Sequence, residues 1–164
     1  MYAYSFANIV LNVKGIVIDN YAEGDDDITV EPLVDAATTK VGADGHMVAS
    51  ISANRGCRVV IKLQQTSPGN AVMQRFYNLQ LVAGAAFSPL SLGMKDVMLQ
   101  DVVTATGGLI TKQATLKRGA QANDTEWTLE FEHYTVDAGL AAELSSIAPV
   151  IQSVQGAIGA FGGL

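Results

Sequence analysis

The sequence has 164 residues, with 16 Asp and Glu against 10 Lys and Arg for a net charge of −6, and it is 49% hydrophobic but only 16% charged. A chain of this length can bury roughly 70% of its unfolded surface in one domain without metal or disulfide staples. Its acidic balance opposes tight binding to nucleic-acid phosphates, and the scarcity of charge predicts that part of its surface is covered in an assembly.

Residues 5–13 alternate Ala7, Ile9, Leu11 and Val13 with Phe6, Asn8, Val10 and Asn12, the period of two of a half-buried strand. Lys14-Gly15 turns the chain, and the β-branched Ile16-Val17-Ile18 returns it as a hairpin. An acidic loop of Glu23, Gly24, Asp25, Asp26 and Asp27 follows, before Ile28-Thr29-Val30-Glu31 resumes strand chemistry and Pro32 confines that strand to an edge or an end. The carboxylates lack the alternating spacing and distal Glu of an EF-hand, so the loop reads as solvated charge and no metal site is assigned.

Thr38-Thr39-Lys40-Val41 and residues 46–52 flank Gly42-Ala43-Asp44-Gly45. Asp44-Gly45 predicts a type I′ hairpin turn, since both residues tolerate positive φ. A long hairpin with moderately apolar arms is marginally stable alone in water, so its edges need a partner strand.

Residues 57–65 alternate Cys57, Val59, Ile61 and Leu63 with Arg58, Val60, Lys62 and Gln64, a second clear strand. Thr66-Ser67-Pro68 then opens a helix near 68–82, with Ser67 as its cap and Pro68 in its first turn. Val72, Phe76, Leu79 and Val82 form a one-sided apolar stripe expected to face the core, and Gly84 stops the helix. Further strands are expected at 86–92 and 96–105 and a short one at 112–116, punctuated by Gly93 and Gly107-Gly108. The last strand, 126–136, sets Trp127, Leu129 and Phe131 against Thr128, Glu130 and Glu132.

From Asp137 the composition shifts to Ala, Gly, Ser, Ile and Gln. Residues 140–148 read as helical up to Pro149, and Gln152, Ser153 and Gln155 interrupt any apolar run of membrane-spanning length. The chain thus divides into a domain at 1–136 and an extension at 137–164 that packs on the domain or on a neighbouring subunit. Met1 to Phe6 contains no basic region followed by an apolar stretch, so no secretory leader is expected and the chain reads as cytoplasmic when made.

The sequence offers little site chemistry. It has no GxSxG, no HExxH and no Gly-rich loop ending in Lys-Ser/Thr. His46 and His133 lie far apart and read as sheet-surface residues, and the lone Cys57 on an apolar strand face reads as core. The Trp127 face lacks the basic residues of a base-stacking platform and reads as core. No catalytic residue, cofactor or metal ligand is nominated. The competing functional class is a small acidic enzyme or ligand-binding β domain using His46 or His133, which requires a pocket of converging polar groups.

Tyr4-Ser5-Phe6-Ala7-Asn8, the run Gly24 to Pro32, Lys40-Val41-Gly42-Ala43-Asp44-Gly45 and Leu63-Gln64-Gln65-Thr66-Ser67-Pro68 resemble, in this order, the tail tube proteins of contractile-tailed bacteriophages. Glu126-Trp127-Thr128-Leu129 is similar to that family's last strand, and the likeness covers about residues 2–136. Gly69 and Ala71 depart from the more polar helix start of the family, and the segment after Asp137 is longer than the family's. The resemblance implies a mostly β fold, a β-sandwich or barrel-like domain with one flanking helix near 68–82 and a long projecting hairpin.

It also implies a non-enzymatic virion protein that stacks as six-fold rings into a hollow tube inside the contractile sheath, assembled in the bacterial host cytoplasm. Its implied partners are other copies of itself, the tail sheath protein, the baseplate or initiator, the tail terminator, the tape-measure protein in the lumen, and phage DNA passing without tight binding. Lys40, Val41, Gly42, Ala43, Asp44 and Gly45 become subunit-interface candidates, and Glu23, Asp25, Asp26 and Asp27 become candidates for the lumen or an interface. The inner tube of a tailocin or contractile injection system is the related alternative.

Overall fold

In strands β6 (Cys57–Gln64) and β9 (Asp124–Asp137), burial follows sequence alternation: Cys57, Val59, Ile61 and Leu63 are fully buried, as are Trp127, Leu129 and Phe131 to within 2%. The two strands pair antiparallel from Cys57↔Phe131 to Gln64↔Asp124, so both apolar rows fall on one side of the sheet. In this computed structural model, which describes residues 4–137, the remaining elements are β1 (Ile9–Val13), β2 (Ile16–Ile18), β3 (Ile28–Pro32), β4 (Ala37–Val41), β5 (Met47–Ile51), α1 (Gly69–Ala83), β7 (Leu90–Asp96) and β8 (Val102–Lys112). The predicted helix at 140–148 and the extension as a whole lie outside the described residues.

Seven strands form one antiparallel sheet in the order β2-β1-β7-β8-β9-β6-β3, and β4-β5 stand apart as a second sheet. The large sheet curls on itself. Just after β2, Tyr21 bridges Leu63, Ala22 N–H donates to Lys62 O at 3.1 Å, and Gln64 N–H donates to Asn20 O at 3.0 Å, which carries the β2 end of the chain to β6 at the far side. One core fills the curl, with Leu11, Val13, Ile18, Leu90, Leu92 and Ile110 joining the β6 and β9 rows. The expected sandwich or barrel is therefore a single hydrogen-bonded sheet rolled around one core. Each large apolar side chain so buried stabilises the fold by roughly 1.5–3 kcal/mol.

Several local expectations are corrected. Residues 6–8 form a 3-10 turn, and β1 begins only at Ile9. The segment 96–105 is not one strand: β7 runs on to Asp96, a turn follows, and β8 starts at Val102. The Asp96 carboxylate closes that turn by accepting the N–H groups of Met98 and Leu99 at 2.8 and 3.1 Å, local bonding that strand periodicity does not register. Gly107-Gly108 lies inside β8 rather than ending it. The Phe131 ring lies against Gly108, where a Cβ would overlap the ring carbons, so only glycine fits there. Residues 113–116 form no strand, although Ala114 is buried.

The helix appears where expected, but its buried face is rotated from the expected stripe. Gly69 and Met73 are buried and Phe76 and Tyr77 half-buried, whereas Leu79 and Val82 are 58% and 89% exposed. Gln80 occupies the inward position one turn on. Its side chain donates to Ile110 O and accepts from Ile110 N–H, both at 2.9 Å, so a polar residue serves the backbone of β8 where hydrophobicity alone would place a leucine. Asn70 anchors the other end, accepting from Trp127 Nε1 at 3.0 Å and donating to Gln64 O at 2.8 Å. Pro68, expected in the first turn, holds the N-cap position in place of Ser67; Ser67 Oγ, one residue earlier, accepts from Gly69 N–H at 3.2 Å and donates to Asp19 O at 2.6 Å, tying the helix start to the segment after β2.

Candidate functional site

The hairpin β4-β5 has no buried residue on either strand. Its register, Ala37↔Ile51 through Val41↔Met47, places Ala37, Thr39, Val41, Met47, Ala49 and Ile51 on one face and Thr38, Lys40, Val48 and Ser50 on the other. Val41, Met47 and Ile51 are 62%, 65% and 76% exposed, so this apolar face has no cover among the described residues. A two-stranded ribbon with an uncovered apolar face and two free edges is incomplete as a folded unit.

Its tip departs from the expected turn. Gly45 N–H bonds Gly42 O at 2.9 Å and Gly42 N–H bonds His46 O at 2.8 Å, with positive φ at Gly45 (+84°) and not at Asp44. This is a three-residue loop, Ala43 to Gly45, whose closing left-handed position favours glycine, in place of the two-residue type I′ turn. Asp44, whose φ is not positive, accepts the His46 N–H on its Oδ1 at 3.2 Å. A turn with positive φ at both central residues, as type I′ demands, occurs instead at Lys14-Gly15 (+51° and +81°).

The acidic loop lies at the other end of β3 and is not uniformly solvated. Asp26 pairs with Lys62 Nζ at 2.8 Å, and this hydrogen bond and charge hold its carboxyl below the usual range while raising the Lys62 ammonium. Asp27 is only 7% exposed, its backbone O accepts Lys62 N–H at 2.8 Å, and its Oδ1 has no hydrogen-bond partner. Burial, then the neighbouring Asp26 charge, push the Asp27 carboxyl up from its ordinary value. Glu23 and Asp25 are exposed. Together with Asp27 they line a cavity of about 480 Å³ whose other walls include Tyr4, Phe6 and Met94. The sequence hint for Asp27 was its place immediately before β3, where its backbone joins the ladder to β6 and draws the side chain inward.

The structure thus leaves the two candidate groups apart. Lys40 to Gly45 form the end of the arm, and Glu23, Asp25, Asp26 and Asp27 the opposite end of the body. His46 sits in the exposed hairpin loop and His133 on the exposed side of β9, where they share no cleft. Cys57 is in the core, and burial pushes its thiol up to about 11. Among the described residues no three His, Cys, Asp or Glu side chains are grouped to hold a metal ion, and no helix is long and apolar enough to cross a membrane. Across the outside of the sheet, Arg58 pairs with Glu130 at 2.9 Å and approaches Glu31 at 3.7 Å, linking β3, β6 and β9 by exposed contacts worth about 0–1 kcal/mol each.

Comparison with known proteins agrees with this geometry. Residues 1–140 match the family model of the bacteriophage PhiTE tail tube protein. The chain is 28% identical over 144 residues to structural protein ORF10 of Pseudomonas phage KPP10, covering 84% of this chain and 82% of the phage protein. In fold it is similar to the sheath/tube terminator of an extracellular contractile injection system, PVC, with a TM-score of 0.62 at 10% identity, covering 84% of this chain and 99% of the terminator. A chain of the PVC sheath-tube complex superposes with a TM-score of 0.60 at 10% identity, covering 84% and 93%.

Proposed function

Since the chain belongs to the bacteriophage PhiTE tail tube protein family, and so is a structural component of a phage tail, we propose that it polymerises as stacked six-fold rings into the inner tube through which phage DNA passes. The observation that carries this reading is the hairpin, whose apolar face and both edges are uncovered among the described residues and would be covered by neighbouring copies. Lys40 to Gly45 at its end contact the adjacent subunit or ring. Sheath, baseplate or initiator, terminator and tape-measure proteins are the further partners, and assembly takes place in the host cytoplasm. Net negative charge suits a channel for DNA, because like charge offers the polyanion no binding. The family and fold are those of structural tube proteins, and the enzyme alternative gains no support from the separated histidines.

Negative-stain electron microscopy of the purified chain at rising concentration tests the proposal. Hollow rods or rings are expected from the natural sequence, and none after deletion of residues 40–45. Tubes of normal length from the deleted chain would overturn the assignment of the hairpin.

A further inference from the structure

The hairpin and the acidic cavity lie at opposite ends of β3. The loop 23–27 precedes Ile28, and the hairpin leaves after Pro32, so the five-residue strand, about 17 Å long, separates them. The cavity is acidic, and none of the side chains that line it is basic. Asp27 is more than nine-tenths buried with Oδ1 unpartnered, Glu23 and Asp25 stand at its mouth, and Tyr4, Phe6 and Met94 supply apolar walls that suit the methylene stem and charged tip of a basic side chain. Lys62, the base nearest the loop, is already paired with Asp26.

The hairpin carries the complementary charge. Lys40 is the one lysine or arginine between positions 37 and 51, it is exposed, and it has no acidic partner within its own chain among the described residues. Arg58 is held by Glu130 and Glu31, and Lys14 lies over the Phe87 ring, 5.8 Å from its centre. Of the remaining lysines and arginines, only Lys40 stands on the hairpin; Lys117 and Arg118 are exposed too but lie in the loop after β8.

Building on the tube reading, we propose that the acidic cavity of one subunit receives the Lys40 side chain of a second copy, so that arm and cavity form a head-to-tail contact between successive subunits. The opposite placement of the two features means that no symmetric dimer is required to satisfy them, and each subunit offers one of each. Such a heterologous contact propagates into rings or an open stack. Seating a lysine there gives Asp27 Oδ1 the direct partner that Lys62, hydrogen-bonded to Asp26, does not supply. Fully buried charge pairs of this type set dissociation rate and register more than encounter.

A charge-swap series tests the pairing, with the natural chain in the same assay. Lys40→Glu is expected to raise the concentration needed for tube formation by at least about tenfold, the equivalent of ~1.4 kcal/mol per contact, while leaving the circular dichroism and melting of the free subunit unchanged. Adding Glu23→Lys or Asp25→Lys to Lys40→Glu is expected to bring assembly back to within about threefold of the natural chain. Natural tubes with an unaffected Lys40→Glu chain, or rescue by neither lysine, would overturn the pairing and leave the tube reading standing. No tubes from the natural chain under any condition would instead overturn the tube reading.

Discussion

The pairs β6-β9 and β4-β5 are both regular antiparallel ribbons built on alternating residues, yet one is the best-buried part of the subunit and the other has no buried residue at all. The difference lies in what each apolar face meets. The β6 and β9 rows close on Leu11, Leu92, Ile110 and the helix residue Met73, whereas the Val41, Met47 and Ile51 row faces solvent. Strand formation thus does not report where the folding energy resides. The curled sheet holds the subunit together, and the hairpin's apolar face is left uncovered among the described residues.

The largest expected effect lies in the curled sheet. Trp127→Ala removes a side chain 2% exposed and leaves Asn70 Oδ1 without one of its donors, so urea unfolding of the free subunit should show a loss of about 3–5 kcal/mol. A loss below about 1 kcal/mol would mean that the curl is held elsewhere.

Asp27 tests the border between the two regions. Its carboxyl is raised in the folded state, so the folded chain binds that proton more tightly than the unfolded chain. Stability therefore falls as pH rises from the ordinary carboxylate range through the raised value, and the penalty is fully present above that value. Asp27→Asn should unfold at higher urea than the natural chain at pH 7, with the advantage vanishing once pH drops below the ordinary range. An equal advantage at every pH would show that packing, not charge, is responsible.

The smallest effect is expected in the hairpin. Val41→Ser with Met47→Ser should change free-subunit stability by less than ~0.5 kcal/mol, because both side chains are already in water, while abolishing tubes. Slow hydrogen exchange of the β4 and β5 amides in the free subunit would contradict this, since it would place the hairpin within the cooperative fold.

Much of this architecture is legible in the residues. Alternation identifies β6 and β9 with their inward faces, Ser67-Pro68 marks the helix start, and Asp44-Gly45 marks a reversal even though the loop is three residues long. Reading fails where a local bond or a distant partner outweighs hydrophobic pattern. Asp96 ends β7 by capping a turn, Gly108 continues β8 because Phe131 covers it, and Gln80 displaces Leu79 and Val82 from the core because β8 presents it with a backbone N–H and C=O.

By itself the sequence determined the strands β6 and β9 with their inward faces and where the hairpin and the acidic loop lie, because periodicity and composition are local properties. Only the tertiary structure decided that seven strands roll into one sheet, that Asp27 is buried with its Oδ1 unpartnered, and that the loop beside β3 closes a cavity with Tyr4, Phe6 and Met94. These depend on which distant strands pair and on what each side chain then meets, and loops of dozens of residues separate those partners along the chain.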